Sequence, residues 1–181
     1  MGAKPCLKKL LCRIQPTTCQ PMNSSKLMNP MHPPESKLSP DASAVRPVIG
    51  YAGDIPPQLA FQWWQAGDAV LVDVRTDAER EWVGFVPGAV PAAWKLWPGM
   101  ALNPAFDDTL KAAMQATLPS GKKALMLCRS GIRSIAAAKR ATELGFEAYN
   151  ILEGFEGDPD AQAHRGVTGG WRRLGLPWRQ G

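Results

Sequence analysis

Apolar positions in residues 48–181 fall either into short continuous runs or into stretches with helical spacing. Three runs, "AVLVDV", "KALMLC" and "EAYNIL", have the continuity expected of strands buried on both faces of a sheet. A turn followed by a short strand is predicted in "VPGAVPAAW". Caps, prolines and glycine stops predict helices at 56–67, 76–82, 103–118, 134–145 and 169–178. This alternation predicts an α/β domain built on a mostly parallel sheet.

The first 47 residues have a different composition. Residues 1–50 contain eight of the 17 prolines and none of the seven tryptophans. Such a segment buries too little apolar surface to offset its ordering entropy, so we expect a disordered basic tail over 1–47 and one domain over 48–181. The first 50 residues hold seven basic and two acidic side chains, and the remainder holds 14 of each. The net charge of +5 therefore lies in the tail and does not indicate nucleic-acid binding by the domain.

Cysteine usage and hydropathy favour a cytoplasmic protein. Three of the four cysteines, Cys6, Cys12 and Cys19, lie in the tail, and their spacing matches no usual zinc pattern. A lone domain cysteine suits a reducing compartment. Charges interrupt "LKKLLCRI", which argues against a signal peptide, and no apolar run reaches the roughly 20 residues of a membrane span. A short amphipathic targeting or membrane-surface segment, and a reaction of a tail cysteine with the cysteine of the domain, stay open.

The candidate chemistry centres on "LMLCRSGIRSIAAA", residues 125–138. Cys128 ends a predicted strand, and ligands of α/β sheets bind beyond the carboxyl ends of strands. The short loop that follows is expected to curl around the sulfur, so that its amides and a helix N-terminus form an anion-binding nest. These features favour a thiolate nucleophile over a buried structural cysteine. The predicted cradle consists of Arg129, Ser130, Gly131, Ile132, Arg133 and Ser134.

No metal or resident cofactor is expected. The two histidines, His32 and His164, are far apart in sequence, and no usual ligand set accompanies Cys128. His164 is predicted to lie in a loop.

Three blocks in order resemble the rhodanese-homology family. They are "LVDVRTDAEREWVGFVPGAVPAAW", "LCRSGIRS" and "LEGFEGD". The resemblance covers roughly residues 50–181. Phe155 stands where the family often has another glycine, and "HRGVTGGWRRLGLPW" extends the usual end.

This resemblance implies a three-layer α/β/α fold with a five-stranded, mostly parallel sheet. It also implies a thiosulfate sulfurtransferase that works through a covalent Cys128 persulfide. The sulfur would pass from a small donor such as thiosulfate to cyanide, a thiol or a protein acceptor. Asp73 and Arg75 would support the loop, Glu79 would pair with an arginine or lie on a solvated helix face, and Trp94 and Trp97 would be packing residues.

Two other classes of function remain as alternatives. One is a non-enzymatic module or a carrier dedicated to one protein partner, which would form a persulfide but turn over small thiols poorly. The other is a cysteine-dependent phosphatase or arsenate reductase. The related phosphatase loop has five residues between cysteine and arginine, whereas four separate Cys128 from Arg133, which suits a single sulfur atom better than a phosphate.

Overall fold

The strands predicted from the apolar runs form the centre of one six-stranded sheet. The computed structural model describes residues 44–116 and 123–181. A two-stranded hairpin is separate from this sheet. In spatial order the main sheet contains β1 (Arg46–Val48), β2 (Tyr51–Ile55), β8 (Ala148–Ile151), β7 (Lys123–Leu127), β3 (Ala69–Asp73) and β4 (Val90–Pro91), and the hairpin contains β5 (Lys95–Leu96) and β6 (Ala101–Leu102).

The sheet corrects the predicted strand number. Five neighbouring strands, in the spatial order β2, β8, β7, β3 and β4, pair in parallel as expected. The edge strand β1 adds a sixth, which is antiparallel to β2. A short turn at Gly50, whose φ is 95°, folds β1 back onto its neighbour. Arg46 and Pro47 therefore already belong to a strand, two residues before the expected domain boundary at Val48.

All five helices lie where they were predicted, but the last is much shorter, because only Gly170–Arg173 of the predicted 169–178 is helical. At the start of α2 (Asp77–Val83), Thr76 and Glu79 form the expected capping box, in which each side chain bonds the backbone N–H of the other residue. The helix predicted over 103–118 begins after Asn103, whose Oδ1 accepts from the Ala105 amide, and residues 117–118 lie outside the described residues. The helices are α1 (Pro57–Gln65), α2 (Asp77–Val83), α3 (Phe106–Ala116), α4 (Arg133–Glu143) and α5 (Gly170–Arg173).

Alternate residues of the central strands enter two separate cores. On one face of the sheet, Val70, Val72 and Met126 pack among the apolar side chains of α3 and α4. On the other face, Leu71 and Leu125 pack among those of α1 and α5. Full burial of a large apolar side chain contributes about 1.5–3 kcal/mol. The two cores thus confirm the three-layer α/β/α arrangement and hold the carboxyl ends of the strands at one edge.

The expected disordered tail falls almost wholly outside the described residues, as do Cys6, Cys12, Cys19 and His32. Within 44–116 and 123–181, none of the helices is long and apolar enough to cross a membrane.

Candidate active site

Cys128 lies at the carboxyl end of the central strand β7, just before the loop that leads into α4. Its side chain is 1% exposed and belongs to the core shared with α3 and α4. The neighbouring strand holds this end in place, because the Val74 amide donates to the Leu127 carbonyl over 2.9 Å. The sheet therefore positions the thiol at the edge where α/β folds bind ligands.

The loop after Cys128 is fixed from outside by the segment that follows β8. The Phe155 amide donates to the Cys128 carbonyl at 2.8 Å, and the Glu156 amide donates to the Arg129 carbonyl at 2.9 Å. Gly131 has a φ of 83°, and a Cβ there would lie 3.0 Å from the Glu153 amide nitrogen. Glycine is required at this position because an L side chain would meet both a strained backbone and a close neighbour.

The amides of the loop have no such partners. Within the described part of the chain, no acceptor binds the backbone N–H groups of Arg129, Ser130, Gly131 or Ile132. The carbonyls of Cys128 and Arg129 accept hydrogen bonds from the segment that follows β8, whereas the N–H groups of the loop stay available to a ligand. Donors left unpaired at the start of a helix are what an anion-binding cradle requires.

Arg133 is held by α2. Its Nη1 and Nη2 donate to the Glu79 carboxylate at 2.8 and 2.5 Å. Burial raises the pKa of Glu79, but its hydrogen bonds with Arg133 and the Thr76 amide, together with the Arg133 charge, outweigh that effect and lower the pKa to about 2. Burial lowers the pKa of Arg133, and the hydrogen bonds and charge of Glu79, with smaller contributions from Cys128 and Asp73, raise it overall. Glu79 therefore takes the first of the two predicted roles, pairing with an arginine.

Arg129 extends outward instead of toward the sulfur. Its Nε donates to Glu156 Oε2 at 3.0 Å, and its side chain is 46% exposed. Arg172 reaches the other oxygen of Glu156 at 3.6 Å. Both loop arginines thus carry carboxylate partners, whereas no described residue accepts a hydrogen bond from the backbone amides of residues 129–132.

Ser134 is the side chain in contact with the thiol. Its Oγ lies 3.1 Å from the Cys128 Sγ and 2.6 Å from Asn150 Oδ1. Ser134 and Asn150 are both buried. Asn150 was absent from the predicted site because it lies inside the third apolar run, where nothing in the sequence connects it with Cys128.

Asp73 and Arg75 support the loop indirectly. Arg75 Nη2 donates to Asp73 Oδ2 at 2.6 Å and to the Gly84 carbonyl at 2.9 Å, and both side chains are buried. The guanidinium carbon lies 3.9 Å from the centre of the Phe155 ring. Because Phe155 donates its amide to the Cys128 carbonyl, the ion pair contacts the loop through this aromatic residue.

The two tryptophans near the site differ. Trp94 packs edge-on against Phe106 at 4.8 Å between ring centres, as expected of a packing residue. The same expectation is wrong for Trp97, which is 67% exposed because the β5–β6 hairpin projects it away from the core. Trp97 faces a cleft of about 490 Å³ whose other walls include Trp82 and Ile132, along with Thr76, Ala78, Glu79, Val83, Met100, Arg129, Ser130 and Arg133.

Metal-binding geometry does not appear at the site. Among residues 44–116 and 123–181, no three His, Cys, Asp or Glu side chains are grouped to hold a metal ion. His164 is largely exposed, lies 3.9 Å from Asp160, and does not line the cleft.

A family model described as a rhodanese-like domain matches residues 58–158. This match spans more than half of the chain and includes the capping box, the Cys128 loop and the segment that supports it. The chain belongs to the rhodanese-like domain family. This rhodanese-like domain is 33% identical over 113 residues to "Uncharacterized protein RP600" of Rickettsia prowazekii (strain Madrid E), covering 62% of this chain and 84% of that protein.

Two further proteins are similar to this chain. The RP600 homolog of Rickettsia rickettsii is 34% identical over 113 residues, with the same coverage. The crystal structure of Rv0390 from M. tuberculosis aligns with a TM-score of 0.61 and 46% identity, covering 72% of this chain and 99% of that one. The rhodanese-like fold is thus shared over nearly the whole length of a solved protein.

Glu79→Gln is expected to flatten the acid dependence of stability in this rhodanese-like domain. The folded-state pKa of Glu79, about 2, lies below the ordinary value of 4.5 for a glutamate. Its ion pair therefore stabilises the fold above pH 4.5, and this contribution is lost as the pH falls toward 2. The loss should be on the order of 1–3 kcal/mol. Urea unfolding at a series of pH values measures it.

Asp77→Asn provides the matched control. Asp77 also pairs with an arginine of α2, Arg80, but its side chain is 86% exposed. Surface pairs contribute little, so this variant should follow the wild-type curve. If Glu79→Gln lost as much stability between pH 4.5 and 2 as the wild type, the Arg133 pair would not be the cause.

Proposed function

We propose that the chain is a sulfurtransferase that carries sulfane sulfur as a persulfide on Cys128. The observation that carries this proposal is the set of unpaired amides in the Cys128 loop, since the described residues provide no acceptor for the N–H groups of residues 129–132. These donors suit a negatively charged sulfur held at the end of β7. No resident cofactor or metal enters the reaction.

The reaction takes place in two covalent steps. The Cys128 thiolate attacks the outer sulfur of a donor such as thiosulfate, the donor's S–S bond breaks, and its electron pair leaves with sulfite. The negative charge is then on the outer sulfur of the persulfide. Cyanide or an acceptor thiolate attacks that sulfur, and the electron pair of the Cys128 S–S bond returns to the cysteine as a thiolate.

The environment of Arg133 favours sulfur transfer over phosphate hydrolysis. A phosphatase would need this guanidinium to bind the phosphate oxygens, but both of its terminal nitrogens donate to Glu79. The loop has four residues between Cys128 and Arg133, one fewer than the related phosphatase loop, so it encloses a smaller space. The arrangement thus supports a sulfur-sized pocket.

The cleft beside the loop favours a thiol acceptor larger than cyanide. Trp82 and Trp97 are 76% and 67% exposed and line it together with Ile132, which is 70% exposed. Exposed aromatic side chains beside a reactive group are typical of surfaces that bind a partner. We therefore include a protein thiol among the acceptors, which also accommodates the role of a dedicated carrier.

Steady-state kinetics with thiosulfate and cyanide test the proposed reaction. A persulfide intermediate gives ping-pong behaviour, so double-reciprocal plots at different cyanide concentrations should be parallel. Intersecting lines would contradict a free persulfide intermediate. Hydrolysis of an aryl phosphate without any thiocyanate formation would support the phosphatase alternative instead.

Trp97→Ala is expected to weaken binding of an apolar acceptor without changing sulfur loading. With benzenethiol as the acceptor, KM should rise about five-fold, because a stacking contact contributes about 1 kcal/mol. With cyanide, which is too small to reach the cleft wall, KM should stay unchanged. Ile49→Ala, at an exposed apolar residue that does not line the cleft, is the control. Equal effects of Trp97→Ala on both acceptors would exclude a role for the cleft in acceptor choice.

A further inference from the structure

A chain of hydrogen bonds leads from Cys128 across the sheet to β2. The Cys128 Sγ lies 3.1 Å from Ser134 Oγ, which lies 2.6 Å from Asn150 Oδ1. Asn150 Nδ2 donates to Asp54 Oδ1 at 2.8 Å, and the Tyr51 hydroxyl donates to the same oxygen at 2.7 Å. Asp54 and Asn150 are direct partners in the parallel pairing of β2 and β8. The nucleophile is thus connected to a carboxylate 74 positions earlier in the sequence.

The directions of these hydrogen bonds are set from the carboxylate end. Burial, followed by the hydrogen bond and charge of Asp54, raises the pKa of Tyr51, so its hydroxyl stays protonated and donates. A carboxylate only accepts, so the amide nitrogen of Asn150 must face Asp54. The Asn150 Oδ1 consequently faces Ser134 and can only accept from it.

Ser134 has one hydroxyl hydrogen and two acceptors that compete for it. When the Cys128 Sγ is a thiol or the inner sulfur of a persulfide, the Ser134 hydroxyl donates to Asn150. Every buried polar atom in this chain of hydrogen bonds then has a partner. When the Sγ is a thiolate, its charge draws the hydrogen, and Asn150 Oδ1 loses its donor in a buried site. A buried acceptor without a donor is unfavourable.

The other charged groups around the sulfur do not remove this competition. Arg133 is the cation whose charge interacts with Cys128, and it is bound to Glu79. Asp73, which interacts with the same arginine, is bound to Arg75. The thiolate therefore relies on the loop amides and on Ser134, whose hydrogen it shares with Asn150.

We propose that Asp54 is a positioning residue that acts through Asn150 and Ser134 to favour the persulfide of Cys128 over its free thiolate. The inference rests on the proposed sulfur transfer. Loading by thiosulfate moves the negative charge from the Sγ to the outer sulfur, and sulfite leaves with the electron pair of the broken S–S bond. The Ser134 hydroxyl can then donate to Asn150 again, so loading restores the hydrogen bond that the thiolate had disrupted.

The test is the equilibrium constant for loading. It is measured by intact mass at fixed ratios of thiosulfate to sulfite, at a pH where the alkylation rate of Cys128 has reached its plateau. In Asp54→Asn the Asn150 amide is free to turn over and donate to Ser134, whose hydroxyl then stays on the thiolate. The loading constant should fall about five-fold or more. Asn150→Ala removes the competing oxygen and should lower the constant in the same direction.

Two controls separate this coupling from general damage to the fold. Ser134→Ala removes the hydrogen bonds that link Asn150 to the sulfur. Adding Asp54→Asn to this variant should therefore leave its loading constant unchanged. Glu147→Gln changes a comparable pair, because Glu147 Oε1 accepts from the Tyr149 hydroxyl at 2.6 Å, and among the described residues this pair does not join the hydrogen bonds that lead to the sulfur. This variant should load like the wild type.

The inference is overturned if Asp54→Asn and Asn150→Ala both stay within about two-fold of the wild type. It is also overturned if Asp54→Asn lowers the constant equally with and without Ser134. A wild-type protein that takes up no sulfur at any ratio of thiosulfate to sulfite would refute the proposed function itself. Normal loading of the wild type that is unaffected by the Asp54 substitution would refute only this inference.

Discussion

Cys128→Ser is expected to abolish sulfur transfer, with a loss of more than about 10³-fold in turnover of thiosulfate and cyanide. The hydroxyl of serine is a far weaker nucleophile than a thiolate, and the loop provides no general base to activate it. The nearest side-chain partner is Ser134 Oγ at 3.1 Å, a neutral hydroxyl. The initial rate of thiocyanate formation measures the effect.

This variant should keep its fold. Serine has nearly the volume of cysteine, and its hydroxyl can take the place of the Sγ beside Ser134. Thermal unfolding should therefore show only a small change. Substantial residual turnover in a folded Cys128→Ser protein would mean that a different residue carries the sulfur.

Gly154→Ala is expected to destabilise the domain by about 3 kcal/mol and to displace the loop after Cys128. Gly154 has a φ of 58°, and a Cβ there would lie 2.5 Å from the Cys128 carbonyl oxygen. It would also lie 2.8 Å from the Arg129 carbonyl carbon and the Gly131 amide nitrogen. All three are backbone atoms that cannot rotate away, so the loop must move. Urea unfolding and the rate of persulfide formation measure the two effects.

Gly175→Ala is the matched control for this prediction. Gly175 has a similar φ of 69°, but a Cβ there would meet no atom within 4 Å among the described residues. Gly175→Ala should lower the free energy of unfolding only by the backbone strain, about 1–2 kcal/mol, and should leave the rate of persulfide formation unchanged. If both variants lost the same stability and kept the same loading rate, close packing of the 152–158 segment on the loop would not matter for function.

The fold was predictable where the chain is strongly patterned. The runs that became β3, β7 and β8 are continuous because those strands are buried on both faces. By contrast, β2 has the sequence "YAGDI", in which glycine and aspartate are unfavourable for strands, and only its neighbours in the sheet keep it extended. The strands β5 and β6 have two residues each, too few for any periodicity.

Taken without the family resemblance, which also placed Asp73, Arg75 and Glu79 near the loop, the sequence predicts the candidate site only where its chemistry is local. The Cys128 loop and the Thr76–Glu79 capping box each lie within seven residues, and both were found. The partner of Glu79 is 54 positions away, and Asp54 and Asn150 are 96 positions apart. Sheet pairing and helix packing bring such residues together, and a single sequence does not show which pairs will meet.

The proposed sulfurtransferase activity requires that Cys128 carry a sulfur atom that can be transferred. Its most direct test is intact mass spectrometry of the protein after incubation with thiosulfate carrying an isotopic label on its outer sulfur, followed by removal of the donor and addition of cyanide. We expect a gain of one labelled sulfur, mapped to Cys128, that leaves completely as labelled thiocyanate. A protein that gains no sulfur, or one whose labelled sulfur stays bound after cyanide is added, would contradict it.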